Sequence, residues 1–177
     1  MDQVILVDST DKEIGTMEKL EAHQKGLLHR AFSVFLFNSA GEMLLQQRAD
    51  SKYHSPGLWT NACCSHPAPN ETIVEAGHRR LKEELGIATF LAPAFSFEYR
   101  THFENGLIEH ELDHVLIGYT TNEPELNPLE AKAFKWISIP QILDEINLNP
   151  EEYTSWFKII LTDHIQKLQK ELCHESM

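Results

Sequence analysis

The chain has 177 residues, and its 27 Asp and Glu outnumber 15 Lys and Arg, for a formal charge of -12 with His neutral. A domain of this size with 42% hydrophobic residues buries a full core, which excludes disordered and fibrous classes. The acidic balance argues against a nucleic-acid partner or an anionic membrane surface, because such binding neutralises phosphates with clustered Lys and Arg; taken alone, it also discourages any anionic ligand.

Cys63 and Cys64 are adjacent and Cys173 lies near the C-terminus, an odd set that forms no disulfide framework, with Cys173 read as incidental. The opening MDQVILVDSTDKEIG lacks the basic start and long apolar run of a signal peptide. Apolar runs such as residues 34–37 are too short to span a bilayer. The expected location is the cytoplasm, and the expected state is a monomer or small homo-oligomer.

In chain order, residues 4–8 read as a short strand and residues 31–38, rich in β-branched and aromatic side chains, as a second. Asn38-Ser39-Ala40-Gly41 predicts a hairpin turn into a third strand over 42–48. From 51 to 69, Ser, Pro, Gly and His without periodicity predict a long ordered loop. Asn70 is expected to cap a helix over 71–85, ended by Gly86 in the left-handed conformation, with Ile73, Ala76, Leu81 and Leu85 on its apolar side. Residues 95–103 and 108–120 are strands around the turn Glu104-Asn105-Gly106. An acidic loop over 122–130 leads to a strand over 134–139. Pro140 precedes a short helix, and Asn149 with Pro150 opens a C-terminal helix carrying Trp156, Ile160, His164 and Leu168 at helical spacing. Interleaved strands with few helices, and no repeat or linker, predict one α/β (α+β) domain over residues 1–177 with a mixed sheet.

The stretch SHPAPNETIVEAGHRRLKEELGI, residues 65–87, resembles the Nudix box, G-x5-E-x7-R-E-U-x-E-E-x-G-U with U apolar. Glu71, Arg79, Leu81, Glu83, Glu84, Gly86 and Ile87 match; Ser65 stands where Gly is usual, and Arg80 where the first Glu of the metal-binding cluster is usual. Arg80 and Glu84 share one helix face, as do Arg79 and Glu83. Composition alone reads this as a solvated, ion-paired helix, but an Arg beside a carboxylate also suits a metal-bridged phosphate. Directly upstream, Thr60-Asn61-Ala62-Cys63-Cys64-Ser65-His66-Pro67 forms a T-N-x-x-C-x-H-P run. This run and the box together resemble the type 1 isopentenyl-diphosphate isomerases of the Nudix superfamily. The family's other motifs are present in compatible order and spacing: His23 and His29, Arg48 and Lys52, Tyr99, Glu109-His110-Glu111 and Trp156. The resemblance covers nearly the whole length of the chain.

That resemblance implies a Nudix-type mixed sheet sandwiched between helices, acting on a small diphosphate with no nucleic-acid or membrane partner. It implies reversible double-bond migration between isopentenyl and dimethylallyl diphosphate through a tertiary carbocation. One ion, Mn2+ or Zn2+ (or a second Mg2+), would be held by His23, His29, His66, Glu109 and Glu111; ligand type leaves its identity open. A Mg2+ would sit at Glu84 and the backbone carbonyl of Cys64, and Lys19, Arg48, Lys52 and Arg80 would bind the diphosphate. Cys64 and Glu111 would handle protons on opposite faces of the substrate, with Tyr99 hydrogen-bonding near Glu111 and Trp156 turning its indole face to the cation. Glu109 and Glu111, two apart on a strand, share a face, while His110 points away. By type and spacing alone, Trp156 is equally a core residue of an amphipathic helix and Cys64 an inert buried thiol. The competing reading is a Nudix hydrolase of a nucleoside diphosphate derivative, from which Arg80 removes a metal carboxylate.

Overall fold

The computed structural model describes residues 2–174. Its central strand is β3 (His29–Phe37), whose sequence HRAFSVFLF is buried at nearly every position. A near-continuous apolar run can be buried on both faces only in a sheet interior. β3 runs parallel to β8 (Ile108–Tyr119) along its whole length and antiparallel to β1 (Gln3–Val7), β4 (Met43–Arg48) and β6 (Cys63–Ser65). Outside these, β2 (Glu13–Glu18) pairs with β1, β5 (Trp59–Thr60) and β9 (Ala131–Ile137) with β4, and β7 (Leu91–His102) with β8. Over the described residues they form one mixed nine-stranded sheet.

Side-chain alternation along β3 divides the core between the two faces of the sheet. Phe32, Val34 and Leu36 join Ala76, Leu81 and Leu85 of α2 (Ile73–Leu85). Phe35 and Phe37 join Trp156, Phe157 and Ile160 of α4 (Ser155–Asp163) and Leu168 of α5 (Ile165–His174). The sandwich of sheet between helices is the predicted one. α2 lies very close to the sheet: a Cβ on Gly77 would meet Leu116 Cδ1 at 2.7 Å. On the α4 side, Phe35 and Phe37 continue a row that begins with His29 and Ser33, and Val115 and Ile117 continue one that begins with Glu109, Glu111 and Asp113. These polar side chains are buried, so one end of an otherwise apolar face is a polar recess.

Several elements depart from expectation. β2 has no buried position and no apolar face, and α1 (Lys19–Lys25) is too short to show a period, so neither is legible by pattern. The long loop after β4 contains β5 and β6, held by pairing to β4 and β3. The cap of α2 is Thr72, in a reciprocal capping box with Glu75, while Asn70 takes a left-handed turn with φ 66°. β7 starts at Leu91 and accommodates Pro93 at a register shift, and β9 starts at Ala131. Pro140 lies within the first turn of α3 (Ile139–Leu148), after a Ser138 capping box. The single C-terminal helix is instead a 3-10 turn (Pro150–Glu152) followed by α4 and α5, which break at His164. The side chain of Cys173 lies outside the described residues. No helix among the described residues is long and apolar enough to cross a membrane.

Thr72→Ala removes the capping box and is expected to destabilise the protein by about 1 kcal/mol in urea unfolding.

Candidate active site

The parallel register of β3 and β8 sets His29 beside Glu111, and β6 carries the chain to His66 directly after its last residue. α1 supplies His23 from the other side, where it is 1% exposed. His23 Nδ1 donates to the Lys19 carbonyl at 2.7 Å and His29 Nδ1 to the Leu27 carbonyl at 2.8 Å, which leaves both Nε2 lone pairs facing inward in the neutral rings. Glu111 Oε1 lies 2.9 Å from His66 Nε2, 3.5 Å from His29 Nε2 and 3.8 Å from His23 Nε2. The His29 and His66 Nε2 atoms are 3.2 Å apart, and the four ligand atoms of this set lie within 4.8 Å of one another. Buried His23 Nε2 has no hydrogen-bond partner. Lone pairs converging on a carboxylate, with one nitrogen orphaned, form a donor set that fits a divalent cation.

Glu109, expected in the same set, stands outside these four. Its carboxyl lies 3.0 Å from the Tyr99 hydroxyl and 3.6 Å from His54 Nε2. Tyr99, opposite Glu111 in the β7–β8 register, also reaches Glu111 Oε2 at 2.7 Å. One hydroxyl hydrogen cannot serve two carboxylates. Burial and the neighbouring Glu111 charge push Glu109 well above the usual carboxylate range. Burial would raise Glu111 too, but the imidazoles of His29 and His66 beside it outweigh burial and hold this carboxyl well below that range. His110 points away, its ring nitrogens meeting Glu98 and the Gly26 carbonyl.

Cys64, on β6 opposite Ser33, is half-buried, and burial with the Asp113 charge pushes its thiol up to about 12. It is a thiol at neutral pH. Trp156 Nε1 donates toward Cys64 Sγ at 2.9 Å, and the Arg48 guanidinium sits 5.3 Å from the centre of the Trp156 ring. The ring face expected to meet a cation thus meets one from the protein. Arg48 also donates to the Ser55 and His54 carbonyls. Trp156 is 3% exposed, so it is at once a core residue and part of the cavity wall.

The remaining candidates line the same cavity. Arg80 pairs with Glu83 and Glu84 at 2.7 Å each and with Glu130 at 3.2 Å; Lys52 also pairs with Glu130. Burial disfavours the Arg80 charge, but Glu84 and Glu130 outweigh it and raise its pKa. Glu84 accepts a second hydrogen bond from Gln46 Nε2 at 2.8 Å, and Gln46 donates to the Ala62 carbonyl, tying α2 to the backbone just before β6. Lys19 lies 5.4 Å over the Tyr53 ring. Lys19, Arg48, Lys52, Arg80, Cys64, His66, Glu84, Tyr99, Glu109, Glu111 and Trp156 all line one cavity. A second cleft shares Lys19, Lys52 and Arg80 and adds Arg79, itself bound to Glu71 by two hydrogen bonds.

The NUDIX domain family model matches residues 27–157. The isopentenyl-diphosphate Delta-isomerase of Pectobacterium atrosepticum is 49% identical over 172 residues, covering 96% of this chain and 96% of that protein. Isopentenyl-diphosphate Delta-isomerase 2 of Aromatoleum aromaticum is 51% identical, covering 90% of this chain and 85% of its own. The chain belongs to the isopentenyl-diphosphate Delta-isomerase family. Among solved structures, a Deinococcus radiodurans protein is similar in fold with a TM-score of 0.73 at 19% identity, covering 90% of this chain and 97% of that one. A MutT protein from Methanosarcina mazei Go1 follows at 0.65 and 20% identity, covering 79% and 94%.

Sequence reading missed several cavity residues of this isomerase-family chain. Asp113 continues the Glu109, Glu111 alternation and was legible by period; it accepts from Ser33 Oγ at 2.7 Å, and burial with the Glu111 charge pushes it up to about 8. Tyr53, His54, Gln46 and Glu130 carry no such signal, because only the tertiary fold turns them to the cavity. His54, wedged between Tyr53, Phe103 and Trp156, is pushed down to about 3, chiefly by burial and then by Arg48.

A folded His54 that stays neutral while the unfolded chain protonates near 6.5 means that the unfolded chain binds more protons below that pH. Its stabilising neutrality is therefore lost as pH falls from 6.5 toward 3. With a chelator present, wild type is expected to lose about 1.4 kcal/mol more than His54→Gln between pH 7.5 and 5.5 in urea unfolding.

Proposed function

We propose that this protein interconverts isopentenyl diphosphate and dimethylallyl diphosphate, with Cys64 and Glu111 as the two proton-handling groups. What carries the reading is one cavity that holds a protonated thiol and an ionised carboxylate, with Lys19, Lys52 and Arg80 also in its lining. The Cys64 S–H gives its proton to the terminal alkene carbon, leaving a tertiary carbocation and a thiolate. The Glu111 carboxylate then takes a proton from the methylene next to the diphosphate-bearing carbon. Tyr99 holds Glu111 in place through its 2.7 Å hydrogen bond. The Trp156 ring, once Arg48 yields its face to substrate, faces the cation, an attraction worth about 2 kcal/mol in a dry site. Lys19, Arg48, Lys52 and Arg80 bind the diphosphate, with Glu130 occupying Lys52 and Arg80 until it arrives.

His23, His29, His66 and Glu111 would hold one divalent ion, Mn2+ or Zn2+, with Glu109 beside them, and Glu84 with the Cys64 carbonyl would hold Mg2+. Bound there, the ions would supply positive charge that offsets the charges of Glu111 and the diphosphate. Arg80 occupies the box position where hydrolysis of a nucleoside diphosphate derivative would use a carboxylate, which weighs against that alternative. We read residues 1–177 as one domain, supported by β1 pairing with β3 from outside the matched 27–157 and by Leu168 of α5 packing in the shared core. We also read it as a cytoplasmic enzyme without nucleic-acid or membrane partners.

In heavy water with Mg2+, isopentenyl diphosphate is expected to yield dimethylallyl diphosphate carrying deuterium, and Cys64→Ala to fall at least about 10³-fold in kcat. Absence of product above a metal-free blank, from folded protein, would overturn the reading. Calorimetric titration with Mn2+ or Zn2+ should find one tight site, weakened at least about 10-fold in His66→Ala and unchanged in His110→Ala.

A further inference from the structure

The hydrogen bonds around Cys64 converge on a side chain to which the reaction gives no role. We propose that the Thr60 hydroxyl is a positioning residue that locks the Trp156 indole and, through Asn61, the Cys64 thiol into one geometry. The inference deepens the isomerase reading and rests on it. Thr60, Asn61 and Thr154 are 0% exposed, so their partners come from the protein. Asn61 is oriented by its own donors, with Nδ2 reaching the Val34 carbonyl at 3.0 Å and the Cys63 carbonyl at 2.9 Å. Both amide hydrogens are then used, and Oδ1 faces the thiol purely as an acceptor. It takes the Thr60 O–H at 2.9 Å and the Cys64 S–H at 3.1 Å. With its hydrogen committed to Asn61, Thr60 Oγ1 has lone pairs left for Trp156 Nε1–H at 2.9 Å and Thr154 O–H at 3.0 Å.

The indole N–H lies 2.9 Å from both Thr60 Oγ1 and Cys64 Sγ, so it is shared between hydroxyl and sulfur. Thr60 itself is 3.7 Å from the sulfur, and Asn61 and Trp156 are therefore the links. The hydroxyl fixes two things at once: the plane of the ring over the cavity and the place of the sulfur. Thr60→Val keeps the shape and deletes the junction, leaving Trp156, Thr154 and Asn61 without their common partner. Both groups then drift from the attack geometry, where a misplacement of about 1 Å costs about 10²-fold in rate.

The test pairs kinetics with ¹⁵N NMR of the three tryptophan indoles, Trp59, Trp136 and Trp156, the last assigned by its loss in Trp156→Phe. Thr60→Val is expected to lower kcat about 10²-fold with KM little changed and to move only the Trp156 cross-peak. Thr60→Ser, which keeps the hydroxyl, is expected to restore both. A folded Thr60→Val with wild-type kcat, or Thr60→Ser as slow as Thr60→Val, overturns the proposal. If Thr60→Val does not fold, the wild-type chain decides: a protected Trp156 indole hydrogen supports the circuit, and one exchanging as fast as free indole overturns it. Wild type inactive on isopentenyl diphosphate refutes the isomerase reading, whereas a Trp156 cross-peak unmoved in Thr60→Val refutes the Thr60 link alone.

Discussion

The in-register parallel pairing of β3 with β8 is the constraint on which the site depends. It sets His29 against Glu111 and Ser33 against Val115, and the same β3 residues accept β6 from the other side, which brings Cys64 opposite Ser33. Because strand side chains alternate, a one-residue slip would turn Glu109, Glu111 and Asp113 to the face covered by α2. The apolar halves of the two strands prevent that slip: Phe35, Phe37, Val115 and Ile117 must meet α4, and Val34, Leu36 and Leu116 must meet α2. The core therefore fixes the position of the polar recess as strictly as it fixes the fold.

Within that recess the electrostatics are arranged by burial and partner, with net charge playing no part. Glu109 and Glu111 are two residues apart on one strand, yet burial drives one up and the histidines hold the other down. The overall charge of -12 is on its own hostile to a diphosphate. Locally the relation is reversed, since part of the acidic surplus faces the histidine set or pairs with Arg80 and Lys52, while these cations line the cavity beside Lys19. What the overall charge still argues against is a long polyanion, which needs an uninterrupted basic stripe.

Legibility followed the range of the forces involved. α2 could be read because a capping box, an apolar stripe and Gly86 in the left-handed conformation act within a few residues. Even there both Asn70 and Thr72 are good cap types, and only the backbone path makes Thr72 the cap. β5 and β6 carry no signal in the sequence because two- and three-residue strands have no period; they exist through their pairing with β4 and β3. Asp113 was within reach of the alternation rule, and Glu130 and His54 were not.

By itself the sequence determined the α+β class, a mixed sheet and the Nudix box, because periodicity, caps and motif spacing are local properties of the chain; the helices on both faces of the sheet and the residues of the site came with the family resemblance. Only the tertiary structure decided that Glu109 stands with Tyr99, outside the His23, His29, His66 and Glu111 group, that Arg48 covers the Trp156 ring, and that Thr60 joins that ring to the thiol. These relations join residues far apart in the chain, Arg48 and Trp156 among them, and rest on contacts of 2.9 to 5.3 Å. Sequence spacing carries no such information, and packing supplies it.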